Sequence, residues 1–180
     1  MKHIIWLLSI AIVFCFAKCE KEKPIDSNNN IPGLPPATQT GTNTLGFLLN
    51  GEPWVPKGNN GTSNLTIRLD TGVNSRQFLI HAYRLLPQNV TEFQISFRAD
   101  NLPLFPVITN LFPIGFVAFK DGFNCKRSTN DLSNFSSTSI SISKNDKSNR
   151  IVSGIFKCTL FNPACADTIK ITQGRFDMRY

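Results

Sequence analysis

From residue 44 onward, one histidine, three cysteines and nine scattered carboxylates are the groups with which this chain could do chemistry. A general base needs a nucleophile beside it and a partner that orients it. His81 lies in "RQFLIHAYRLL", on one strand face with Leu79, Tyr83 and Leu85, which is the pattern of a structural residue. No nucleophile elbow, HExxH helix, P-loop or GxGxxG turn occurs. Glycosidase chemistry requires two carboxyls at a set separation. Glu52, Glu92, Asp70, Asp100, Asp121, Asp131, Asp146, Asp167 and Asp177 are spread along the chain, so their separation is not legible from order alone. Asp100-Asn101, or Asp121 with Asn124, could offer oxygen ligands to calcium, but neither has EF-hand spacing. No metal site and no cofactor is expected.

The cysteines support different chemistry. Cys158 alternates with Phe156 and Leu160 and reads as a small buried hydrophobe. Cys125, in "DGFNCKRST", and Cys165, after "TLFNPA", read as loop residues free to approach one another. If a bridge forms, the expected pair is Cys125–Cys165. Cys158–Cys165 is the competitor, set seven positions apart across a plausible hairpin. No CxxC or nearby histidine suggests a metal.

The remaining reactive thiols stand near the start. Ile4 to Ala17, "IIWLLSIAIVFCFA", is almost wholly apolar and ends at "KCEKEK". That length suits a signal-peptide core and falls short of the roughly 20 residues of a membrane span. Cys19, directly after it, resembles the cysteine of a bacterial lipobox, which becomes the lipidated first residue of the mature protein. Lys18 stands where that motif usually has Gly, Ala or Ser, and Cys15, the alternative, lies inside the apolar core. The reading is a lipoprotein signal peptide over residues 1–18 and a lipid anchor at Cys19. Two or three acyl chains hold a protein durably, since each buried CH₂ contributes about 0.8 kcal/mol.

The chain carries a formal charge of +7, and removing residues 1–18 takes two lysines and no acid, leaving +5. The excess is dispersed, without the basic stripe and interleaved aromatics that nucleic acid requires. No nucleic-acid partner is expected.

Residues 19–43 read as a flexible tether: Pro-rich, with an Asn run and few apolar residues. Beyond them period-two alternation recurs. Leu65, Ile67 and Leu69 alternate with Thr66 and Arg68; Phe93, Ile95 and Phe97 with Gln94 and Ser96; Ile140 and Ile142 with serines. Asn50-Gly51 between apolar runs is a strong hairpin signal, because both residues tolerate positive φ. Residues 150–162 read as one long strand, and 167–180 as two short strands around Gln173-Gly174. Three prolines make residues 100–115 a loop or irregular crossover. The expected fold over residues 44–180 is all-β, an antiparallel β-sandwich with an open barrel as the alternative. Trp54 is expected to plug one end of its core.

"LPPATQTGTNTLGFLLNGEPWVP" (residues 34–56) and the closing "DTIKITQGRFDMRY" together resemble a family of Bacteroidota lipoproteins with a domain of unknown function. The shared features are the Leu-Pro-Pro-Ala-Thr-Gln-x-Gly opening, an Asn-Gly-x-x-Trp hairpin and a Gly-Arg-Phe-Asp close. The resemblance implies an exported, envelope-anchored, mostly β protein and transfers no activity or catalytic residue; the expected location is the outer membrane of a bacterial cell envelope. In that setting "DTI" resembles a short acceptor for O-glycosylation at Thr168. Three functional readings stay open. One is a non-enzymatic domain that binds a protein or glycan partner. Another is a glycan-processing or other hydrolase with a carboxylate site. The third is a structural subunit whose edge strand accepts another strand.

The cysteine reading is checked by peptide mapping of the non-reduced protein. If a bridge forms, the linked peptide is expected to join Cys125 and Cys165; one containing Cys158 would overturn the assignment.

Overall fold

The computed structural model describes residues 30–70, 77–87, 90–99, 114–120, 125–128, 135–162 and 167–180. Ten strands form two antiparallel sheets that are not closed into a barrel, consistent with a β-sandwich. In chain order they are β1 (Thr44–Leu49), β2 (Glu52–Trp54), β3 (Leu65–Asp70), β4 (Gln77–Leu85), β5 (Thr91–Ala99), β6 (Ile114–Lys120), β7 (Cys125–Ser128), β8 (Phe135–Asp146), β9 (Ile151–Asn162) and β10 (Asp167–Arg179). The first sheet has the order β2-β1-β10-β9-β8 and the second β3-β4-β5-β6-β7.

The alternations place the core as expected. Phe78, Ile80 and Ala82 from β4 and Phe93, Ile95 and Phe97 from β5 face Phe156, Cys158 and Leu160 from β9 and Phe176 and Met178 from β10. Each such large side chain, once fully buried, contributes about 2 kcal/mol. Phe97 bridges the layers, with ring centroids 4.8 Å from Phe156 and 5.8 Å from Phe176. Asn50 and Gly51 both have positive φ, 51° and 94°, as a two-residue primed turn demands. Trp54, at the end of that hairpin, is fully buried and stacks on Phe47 at 4.6 Å. Its outer face meets the Arg84 guanidinium 5.6 Å from the ring centroid, and Arg84 is itself held by a two-pronged ion pair with Glu92.

Three expectations need correction. Residues 167–179 are one strand, not two: Gln173 takes φ 54° and inserts a bulge, and pairing with β9 resumes at Gly174. Cys125 is not in a loop; it begins β7, paired with Lys120 of β6. The ordered chain also reaches back before Thr44, into the stretch read as tether: Leu34 is buried and residues 38–42 are bonded to the first sheet. Of residues 100–115, read as the irregular crossover, 100–113 lie outside the described residues, and Ile114 and Gly115 instead open β6.

Two glycines open room for the aromatic layer. Gly154 on β9 lies opposite Phe176 on β10, and Phe156 on β9 lies opposite Gly174 on β10. Each ring covers the facing backbone: a Cβ on Gly154 would sit 2.8 Å from the Phe176 ring, and one on Gly174 2.8 Å from the Phe156 ring. The exchange is reciprocal, so neither glycine accepts a methyl group without displacing a ring. Gly154→Ala and Gly174→Ala are each expected to cost about 2–3 kcal/mol. Urea unfolding measures this, and a loss below about 0.5 kcal/mol would contradict the packing argument.

Candidate functional site

The most elaborate polar arrangement among the described residues is built on Asp177. It sits on β10 between Phe176 and Met178, which point into the core, so its own side chain points to the outer face of the first sheet. That face should be wet, yet Asp177 is 1% exposed. What covers it is the chain arriving from residue 34. Gly33 packs on Pro53 of β2, and the Pro35 ring closes on Gly46 of β1, where a Cβ would collide with it. The strap then crosses Asp177, and Gln39 offers its carbonyl to Lys144 Nζ of β8 at 2.9 Å. Gly41 turns with φ 75° against Ile151 of β9. Asn43, also at positive φ, accepts from the Arg179 backbone N–H at 2.8 Å before β1 begins. A single strap thus touches all five strands of one sheet.

Seven hydrogen bonds converge on the Asp177 carboxylate. Oδ2 accepts from Thr38 Oγ1 at 2.6 Å, from Thr40 N and Oγ1 at 3.0 and 3.4 Å, and from Thr42 N and Oγ1 at 3.3 and 3.0 Å. Oδ1 accepts from Gly41 N at 2.8 Å and from Ser153 Oγ of β9 at 2.7 Å. Threonines at every second position put three hydroxyls on one side of an extended strap, and the turn at Gly41 adds converging backbone N–H groups, an anion-binding nest. Burial alone would raise the carboxyl pKa. The bonds from Thr38, Ser153, Gly41 and Thr40 outweigh it and hold the group well below the usual carboxylate range.

Beside the strap lies a shallow groove of about 300 Å³, open where the two sheets part. Phe47 pairs with Trp54, so Leu45 would face residue 56 if β2 continued. Residue 56 is proline, has no N–H to offer, and the chain leaves for the second sheet, where Lys57 pairs with Arg84. The gap is lined by Pro35, Asn43, Leu45, Pro56, Asn64 and Leu65, without a charged side chain.

His81, on β4, bonds through Nδ1 to Ser96 Oγ of β5 at 2.9 Å, the nearest approach to a base and nucleophile among the described residues. Its Nε2 has no hydrogen-bond partner there, so no third group orients the ring. Desolvation lowers its pKa below the ordinary value, so the imidazole is neutral near pH 7. Glu92 is held by Arg84, and Asp146 by Asn149 and Lys144. Among the described residues no cluster of three or more His, Cys, Asp or Glu could hold a metal ion.

Of the sequence-picked residues, Cys158 is a free, buried thiol, its pKa raised by desolvation. Thr168 is exposed on β10, opposite Phe161 of β9. Cys19 and Cys165 lie outside the described residues, as do Asp100-Asn101 and Asp121 with Asn124. The sequence reading missed the pairing of Asp177 with Thr38–Thr42. Its signal was present as the Thr-x-Thr-Gly-Thr alternation, which composition had assigned to the tether. No protein-family model matches the chain, and no curated protein or solved structure matches it.

Asp177→Asn keeps the shape but turns an NH₂ toward hydroxyl and N–H donors. It is expected to cost about 3 kcal/mol, because hydrogen bonds to a buried charge are lost and donors are left unpaired. The folded carboxyl keeps its charge to lower pH than the unfolded chain. The clasp therefore contributes fully above roughly pH 4, the unfolded value, and progressively less as pH falls toward the depressed folded value. Urea unfolding at pH 6 and pH 3 checks both: the wild type should lose stability across that interval more steeply than Asp177→Asn.

Proposed function

We propose that the chain is an exported lipoprotein, anchored through Cys19 in the outer membrane of a bacterial cell envelope. Its β-sandwich binds a protein or glycan partner and does not turn over a substrate. The observation that carries the reading is the Asp177 clasp. Its carboxyl is held well below the usual carboxylate range, and its oxygens are filled from within the chain. That is the arrangement of a group holding a connection, not of one awaiting a proton from a substrate. The connection it holds joins the N-terminal segment to the sandwich, where a membrane tether would pull. The described carboxyls of Glu92 and Asp146 are likewise engaged within the fold, which speaks against the hydrolase reading. The uncharged groove beside the strap, with apolar walls and Asn and Thr groups, suits a peptide or sugar better than an ionic ligand. On this reading Thr168, exposed on β10, is open to glycosylation.

Phase partitioning in a cloud-point detergent tests the anchor. Wild-type protein from a bacterial host with lipoprotein-processing enzymes is expected in the detergent phase and Cys19→Ala in the aqueous phase. Unchanged partitioning of the variant would overturn the reading.

A further inference from the structure

The four strands at the sheet margins are not equally protected against pairing with another chain. β2 has three residues, one of them Pro53, and β7 has four. β8 is long but carries two register shifts along its pairing with β9, and Lys144 near its end. Such shortness, prolines, bulges and charges are how natural sheets blunt their margins. β3 has few of these devices. It runs six residues in unbroken register against β4, from Leu65 opposite Ala82 to Asp70 opposite Gln77. Among the described residues nothing pairs with its other side.

Which backbone groups face outward follows from the ladder. Tyr83 donates its N–H to the Asn64 carbonyl at 3.0 Å, so Asn64 points its backbone at β4. Alternation directs Thr66 and Arg68 the same way and turns Leu65, Ile67 and Leu69 outward. These three residues also carry side chains that pack on the core yet stay partly exposed.

The sequence of this margin reads the same in both directions where it matters. Leu65-Thr66-Ile67-Arg68-Leu69 is symmetric in its apolar residues about Ile67. We propose that β3 pairs antiparallel with β3 of a second copy of this chain, about a two-fold axis that passes between the two Ile67 residues. A two-fold contact uses one patch twice, so each patch must complement itself. In this register Ile67 meets Ile67, Leu65 meets Leu69, and the outward backbone groups form about six hydrogen bonds. On the solvent face Thr66 falls opposite Arg68, both exposed, so no like charges oppose each other. A shift by two residues toward Leu69 would set Arg68 against Arg68, which disfavours the neighbouring register. The two second sheets then become one continuous sheet across the dimer. This pairing is independent of the lipid anchor; at its end it shares Leu65 with the wall of the groove.

Sedimentation velocity on the soluble domain from residue 30 through residue 180, which keeps the strap, reads the result. The contact is small, so a dimer with a dissociation constant of roughly tens of micromolar is expected. Thr66→Lys places a lysine opposite Arg68 twice and is expected to weaken association at least tenfold. Adding Arg68→Glu to it restores opposite charges across the axis and should restore the dimer. Both side chains are exposed and none of the three proteins is expected to lose its fold, which circular dichroism checks. Ile67→Pro removes an outward N–H without touching the β3–β4 ladder and should leave a monomer. A wild type monomeric at several hundred micromolar would overturn the proposal, leaving this margin to a different chain. So would a Thr66→Lys variant that dimerises unchanged.

Discussion

A single buried carboxylate holds the two ends of this fold together. Asp177 costs a large desolvation penalty on the outer face of a sheet, and it is tolerable only because donors from Thr38 to Thr42 and from Ser153 surround it. The dependence runs both ways. Without the carboxylate, a strap of threonines and glycine has too little apolar surface to offset the entropy of ordering it. Without the strap, the aspartate would be a solvated surface residue, and Gly46 and Ser153 would lie bare.

The core is a separate arrangement that meets the clasp at β10. On one side of that strand Phe176 lies over Gly154; on the other Asp177 gathers the strap. Ring placement and strap placement therefore share one backbone register. The bulge at Gln173 sets that register, since pairing slips between Ile171 and Gly174. Residues before the bulge, Ile169 and Ile171, face the core at odd positions, whereas after it Phe176 and Met178 do so at even positions. The bulge is what allows Asp177 to point outward at all.

Much of the sandwich was legible because its strands are buried on one face. Leu65-Ile67-Leu69, Phe93-Ile95-Phe97 and Ile140-Ile142 announce their inward sides by alternation, and Asn50-Gly51 announces its turn by conformational tolerance. Gln173-Gly174 carries the same kind of turn signal, and there it misled, because a bulge and a hairpin use the same positive φ. β7 was hidden by its brevity: Cys125 to Ser128 is too short for a period to show. The clasp was hidden for a different reason. Its partners stand more than 130 positions apart, and hydrogen-bond complementarity between threonines and an aspartate leaves no periodic trace.

The sheet order β2-β1-β10-β9-β8 sets a schedule for the growing chain. Among the described strands, the β1–β2 hairpin comes first in the chain, and the long strand beside it, β10, comes last. Until Asp177 emerges, β1 lacks its central partner and the threonine strap has nothing to hold. The first sheet thus cannot close before β10 has been made, and its loop-closure entropy is met in one late step.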